Sequence, residues 1–184
     1  MDQTAIQIHI LVTPNFNLAA TTAFIDPFRA ANYLEGVTRF RWVLASAPGG
    51  PCQASNGLVV ETQKLTDIQN DPSDIVVMSA SWTPETGKTP QLLAALRKWG
   101  RAGSIIGALD TGAFIVADAG LLRGHRATVH YEHIDAFKEL HGDVDVSEDI
   151  FVRDEKRFTC SGGIASSDIA LHIIRAISGD ALAN

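Results

Sequence analysis

The chain is poor in cysteine, in aromatic residues and in positive charge, and it lacks any long apolar run. Only two cysteines, Cys52 and Cys160, occur in 184 residues. They lie far apart and follow no metal-ligand spacing, which excludes a disulfide framework and a thiolate metal cluster. One disulfide or two reduced thiols would fit, and the reduced, cytosolic state is the expected one. Lys and Arg number 15 against 21 Asp and Glu, a net charge of -6, so the chain has no basic face of the kind that neutralises nucleic-acid phosphates. No apolar stretch approaches the ~18 residues that cross a bilayer, and Met1 to Gln7 has neither the basic start nor the apolar stretch of a leader. A soluble, cytoplasmic protein without membrane partner, metal or cofactor is expected. Hydrophobic residues make up 46% of the chain and charged residues 20%, a composition that suits one domain over residues 1–184 with a sizeable core.

Apolar runs of strand type alternate with runs of helical period. Ile6 to Val12, Phe40 to Ala45, Asp74 to Ser79 and Ser104 to Leu109 read as strands, and Leu58 to Thr62 as a short exposed one. Leu18 to Leu34 reads as a helix with Phe24, Pro27, Phe28, Ala31 and Leu34 along one side; Pro27 should kink it or mark a junction of two helices. Pro90 to Trp99 reads as a helix closed by Gly100. Ala127 to His130 follows as a strand, then Glu132 to His141 as a helix. Ile150 to Arg153 and Arg157 to Cys160 read as a hairpin, and the last helix, through Ile169, Ile173, Ile174 and Ile177, takes Ser166 or Ser167 as its cap. This alternation predicts an α/β fold with a mostly parallel sheet covered on both faces, and such sheets bind ligands beyond the carboxyl ends of their strands.

The break at Asp110-Thr111-Gly112, where an apolar strand passes directly into a helix, has the form of a nucleophile elbow. A turn of this kind lifts one side chain above the sheet edge. Here that side chain is Asp110, a poor nucleophile for acyl transfer. If the sheet is parallel, the loops at Pro14 to Leu18, Ser79 to Trp82, Asp110 to Gly112 and His130-Tyr131 meet above it, and Asp110 and His130 are the titratable pair most apt to face each other. Each candidate has a plainer role beside the functional one. Asp110 reads equally as a helix cap, His130 as a buried histidine satisfied by backbone, and Glu132 as an ordinary first-turn residue. Trp82 and, more weakly, Phe16 are either core plugs or aromatic ligand contacts suited to a cation. Cys160 reads as a buried structural thiol. Arg97, Lys98 and Arg101 read as a solvated helix end.

The segment from Gly107 through Leu-Asp110-Thr-Gly-Ala-Phe-Ile-Val to His130-Tyr-Glu-His133 resembles the core of the class I glutamine amidotransferase-like domain of PfpI type that opens many AraC-type transcriptional regulators. Ile25-Asp-Pro-Phe-Arg-Ala-Ala-Asn32 and Phe158-Thr-Cys-Ser-Gly-Gly to Asp168 are similar to the same family's first-helix and last-helix signatures. The resemblance covers essentially the whole chain in order. It implies a flavodoxin-like three-layer sandwich and a homodimer. The Leu-Asp-Thr-Gly form of the elbow is similar to the subgroup that senses arginine, glycine betaine or carnitine. Enzymes of the family carry cysteine where this chain has Asp110, and an acidic residue in the first helix at or near Ala20. Both are missing, so cysteine-dependent chemistry is expected to be absent, with no catalytic residue left. The regulators' helix-turn-helix DNA-binding domain follows this domain, and no such segment stands in these 184 residues.

The expected function is ligand sensing: Asp110, Thr111, Gly112, His130, Trp82, Phe16 and Tyr131 would surround a small amine or amino-acid-like effector, with the amides after Thr111 receiving a carboxylate or carbonyl. A hydrolase or lyase using Asp110 and His130, and a dimerisation module with a vestigial pocket, are the alternatives.

Overall fold

The computed structural model describes residues 5–183; Met1 to Thr4, part of the N-terminal stretch expected not to form a leader, lie outside them. The elements run β1 (Ile6–Val12), α1 (Leu18–Glu35), β2 (Phe40–Ser46), β3 (Gly50–Gln53), β4 (Val59–Lys64), α2 (Leu65–Ile68), β5 (Ile75–Ala80), α3 (Pro84–Gly87), α4 (Pro90–Ala102), β6 (Ile105–Asp110) and α5 (Gly112–Asp118). There follow β7 (Arg126–Ala127), a 3-10 turn (Tyr131–His133), α6 (Ile134–Leu140), β8 (Asp145–Val146), β9 (Phe151–Asp154), β10 (Arg157–Cys160), α7 (Ala165–Ser178) and α8 (Asp180–Ala183). One sheet has the order β3-β4-β2-β1-β5-β6-β10-β9. Its six inner strands are parallel, and β3 and β9 add antiparallel edges.

The period-2 alternation of the strands sorts their side chains between two cores. Ile8, Ile10 and Val12 of β1, Ile75 and Val77 of β5 and Phe158 of β10 pack with Phe24, Phe28 and Ala31 of α1 and Ile169, Ile173 and Ile174 of α7. Leu11, Val76, Met78, Ile106 and Ala108 point to the opposite face, against Leu65 and Ile68 of α2, Leu92, Leu96 and Trp99 of α4, and Ile115 and Val116 of α5. The result is the expected three-layer α/β sandwich with a mostly parallel sheet. No helix among the described residues is long and apolar enough to cross a membrane.

Several boundaries differ from the sequence reading. Leu18–Glu35 is one helix through Pro27, with Asn17 as its cap and Gly36, at φ 68, ending it; Leu34 on its last turn is exposed. α4 continues past Gly100 and stops at Gly103, whose φ of 95 suits glycine. No serine side chain caps α7: Ile164 holds the cap position, and Ser167 instead donates to the Ala23 carbonyl of α1 at 3.0 Å. The strand expected at Ala127 to His130 shrinks to Arg126–Ala127, which pairs with β8 in a separate two-stranded sheet. The expected helix from Glu132 begins as the 3-10 turn before α6. Cys52 and Cys160 are both free and buried.

Candidate functional site

The sheet edge at the carboxyl ends of the strands is where the backbone departs from ordinary geometry. Four non-glycine residues among those described have positive φ, and Asn15 (62), Thr83 (53) and Asp110 (58) all lie in the loops of this edge. At Asp110 the left-handed turn lets β6 pass into α5 within one residue. Aspartate tolerates that conformation better than most residues, and strain of this kind is typical of functional turns. Two glycines permit the approach. A Cβ on Gly112 would meet the Met78 carbonyl oxygen at 2.2 Å, and one on Gly162 would meet Asp110 Cβ at 3.0 Å.

Asp110 is only 2% exposed. Asn17 Nδ2 donates to its Oδ2 at 2.8 Å, while Asn17 Oδ1 accepts from the Ala20 amide at 3.0 Å and so caps α1. One side chain thus fixes both the helix start and the elbow carboxylate. Burial pushes the Asp110 carboxyl above the ordinary carboxylate range. Hydrogen bonds from Asn17, the Thr111 amide and Ser81, together with the charge of His130, act in the opposite sense. Thr111 donates through Oγ1 to the Ser81 carbonyl at 2.6 Å, tying the elbow to the loop that carries Trp82.

His130 reaches the site from a loop. Val129 is fully buried, and the Thr128 amide donates to Thr159 Oγ1 of β10 at 2.7 Å, which anchors the segment just before the ring. The imidazole packs at a tilt of 34° against Tyr131 with centroids 4.6 Å apart and lies 5.9 Å from the His133 ring. Its buried Nδ1 has no hydrogen-bond partner, and Glu132 Oε2 is 3.9 Å away.

These groups surround a recess of about 320 Å³ lined by Asn17, Ser55, Ser81, Trp82, Asp110, His130, Tyr131, Glu132 and His133. Trp82 and Tyr131 are 66% and 71% exposed, so neither is a core plug. The walls include two carboxylates, Asp110 and Glu132, and no lysine or arginine. Of the residues expected here, Asp110, His130, Trp82 and Tyr131 are brought together. Thr111 lies one step away, lining an adjoining cleft. Gly112 is buried against β5 and lies outside the recess, serving close packing. Phe16 is a correction: its ring is wholly buried in the core that holds Phe24, because a backbone bridge to Ala54 turns it inward. The residue of the first loop that meets the elbow is Asn17, three positions before Ala20, which the resemblance had pointed to; Ala20 is buried and supplies only its amide. An asparagine just ahead of a helical run is a cap signature, but nothing in the spacing reveals that its other amide atom faces β6. Ser55, Ser81, Glu132 and His133 complete the walls. Among the described residues no group of three or more histidine, cysteine or acidic side chains is arranged to hold a metal ion.

A three-layer sandwich with a left-handed elbow after a central strand and a histidine facing it is the geometry of the amidotransferase-like class. The family model for the DJ-1/PfpI family matches residues 7–176, and the chain belongs to that family. It is 38% identical over 173 residues, 94% of this chain, to the HTH-type transcriptional regulator CdhR of Pseudomonas aeruginosa, of which that match covers 51%. It is 35% identical over 91% of its length to the HTH-type regulator GbdR, and 38% over 96% to the HTH-type regulator ArgR, both of the same species; these matches cover 45% and 53% of those proteins. The chain therefore spans about half the length of these curated relatives. Among solved structures, an AraC family transcriptional regulator from Pseudomonas putida superposes with a TM-score of 0.88 over 97% of this chain and 95% of that one, at 23% identity. DJ-1beta of Drosophila melanogaster gives 0.83 over 98% and 94%, at 18% identity. Both establish the flavodoxin-like fold.

Proposed function

We propose that these residues form the ligand-sensing domain of an AraC-type transcriptional regulator, which captures a small amine or amino-acid-like metabolite and releases it unchanged. The observation that carries this reading is a buried carboxylate at the elbow, in a recess with a second carboxylate, no lysine or arginine and two exposed aromatics. Such walls favour a cation: Asp110 and Glu132 supply negative charge, and Trp82 and Tyr131 supply ring faces. The orphaned Nδ1 of His130 is left to meet a polar group of the ligand. The names of the relatives support regulation rather than turnover. Betaines, carnitine and arginine are the effectors to try first. The domain works as a homodimer in the cytoplasm, and DNA binding belongs to a further helix-turn-helix domain of the regulator.

Thermal-shift screening with these compounds tests the reading. At a hundredfold excess over Kd a true effector raises the midpoint by roughly 5–10 °C, and Asp110→Ala abolishes the rise while the ligand is recovered intact. Turnover that Asp110→Ala removes would establish an enzyme instead. An Asp110→Ala protein that responds like the parent would leave only a structural module.

A further inference from the structure

The recess at the elbow has a larger neighbour. A cleft of about 470 Å³ lies along α5, with Phe114, Ile115 and Leu140 among its walls. The two compartments meet along a shared boundary. His133 lines both. Its ring lies 5.9 Å from that of His130 on the recess side and 6.2 Å, edge-on, from that of Phe114 on the cleft side. On the opposite loops the boundary falls between Trp82 and Thr83 and between Asp110 and Thr111, single steps of chain held together by the Thr111 to Ser81 hydrogen bond.

The chemistry of the two sides differs. The recess presents two carboxylates with no lysine or arginine among its walls, and exposed rings. In the cleft, Lys88 Nζ and Asp118 Oδ2 neutralise each other at 2.7 Å, His141 Nε2 stands 3.8 Å from the other Asp118 oxygen, and Glu85 stays at the exposed rim. What the cleft offers a ligand is therefore mainly apolar wall. Leu140 is 69% exposed at its mouth, an apolar side chain with nothing covering it.

We propose that the two compartments form one bipartite site, whose ligand is an organic ammonium ion with an uncharged apolar arm: the cationic head sits between Asp110, Trp82 and Tyr131, and the arm passes His133 onto Phe114, Ile115 and Leu140. The proposal rests on the cation-sensing reading above and adds the second compartment to it. The arm sets specificity, because each methylene removed from water on that wall tightens binding by roughly fourfold.

A series of alkyltrimethylammonium chlorides, from tetramethyl through butyl to hexyl, measured by calorimetry on the intact chain, tests this. Affinity should climb by about fourfold per methylene over the first few carbons. In Leu140→Trp, an exposed position where the larger ring fills the cleft without disturbing the core, the hexyl-to-methyl affinity ratio should collapse toward one. Asp110→Asn should weaken every member alike and preserve the ratio. If tetramethylammonium binds but the series is flat, or climbs equally in Leu140→Trp, the bipartite site is wrong and the cation reading stands. If no member binds, both fail.

Discussion

Asn17 holds Asp110 with one atom of its amide and the start of α1 with the other, at 2.8 Å and 3.0 Å. The elbow carboxylate is thus not free: it is buried, strained in φ and braced by a neutral donor from the first loop. A neutral donor stabilises the anion without cancelling its charge, which leaves a field for a cationic ligand to neutralise.

Asp110→Asn should raise stability and weaken cation binding together. Burial lifts the folded-state pKa of Asp110 above its ordinary value of 3.8, so the native chain holds this proton more tightly than the unfolded chain does. Its contribution is most favourable below the ordinary value and is lost as pH rises through the folded value. Asparagine has nearly the same shape and still accepts from Asn17 Nδ2. A melting series should show Asp110→Asn above the parent at pH 7 and level with it below about pH 4. An Asn variant less stable than the parent at neutral pH would contradict the burial argument.

Asn17→Asp and Asn17→Ala separate the two duties of that side chain. Aspartate caps a helix as well as asparagine, but it sets a second carboxylate against Asp110 and raises the pKa of the pair. Asn17→Asp should be destabilised at pH 7 and recover on acidification. Asn17→Ala should lose about 1 kcal/mol of capping at any pH, and at pH 7 also the donor that steadies the Asp110 anion. Chemical denaturation at pH 7 and pH 4 distinguishes the two: Asn17→Asp should recover nearly all of its deficit in acid, whereas Asn17→Ala should keep the capping loss.

The fold was legible because burial on both faces of a parallel sheet leaves continuous apolar runs, and β1, β5 and β6 show them plainly. The elbow was legible because a strand running straight into a helix leaves no residues for a loop. The strand β3 was not: Gly49-Gly50-Pro51 reads as punctuation after β2, yet Gly50–Gln53 is extended because Cys52 and its neighbours pair with β4. His130 likewise sits after a short run of strand type in which the Thr128 amide is held by a side chain, Thr159 Oγ1, and not by a ladder. Phe16 misled for a related reason, since the bridge to Ala54 that turns its ring inward joins segments nearly forty residues apart. Local pattern predicts which groups are apolar; it does not predict which way a loop turns them.

Trp82→Ala and Tyr131→Ala should weaken cation binding by about 1 kcal/mol each, roughly fivefold, without lowering the melting midpoint. Both rings are largely exposed, so no core contact is lost with either. Titration with tetramethylammonium beside a melting curve reads both quantities on one sample. A drop in stability with unchanged affinity would make these rings structural.

The thiols should be inert in the native protein. Burial pushes both Cys52 and Cys160 above the usual thiol range, and a nucleophilic thiolate needs the opposite shift and access to solvent. Cys160 Sγ accepts from the Gly162 amide at 3.4 Å and lies 3.8 Å from Ser166 Oγ, deep under α7. Ellman's reagent at pH 7.5 should titrate close to no thiol in the folded chain and two in denaturant. Rapid reaction of Cys160 in the native state would show that α7 opens.

Gly112→Ala tests whether the elbow depends on close packing of α5 onto β5. The added methyl would start 2.2 Å from the Met78 carbonyl oxygen, a backbone atom that cannot rotate away. α5 must then move, taking Thr111 and its bond to Ser81 with it. Overpacking of this kind costs about 1–3 kcal/mol, and here it falls on the hinge between the elbow and the Trp82 loop. Gly124→Ala is the matched control: its φ of 71 carries the ordinary strain of a left-handed alanine, but the methyl meets no neighbour within 4 Å. Both variants should lose stability, Gly112→Ala the more, and only Gly112→Ala should also lose ligand binding beyond what its stability explains. Equal affinity in the two would separate the position of α5 from the site.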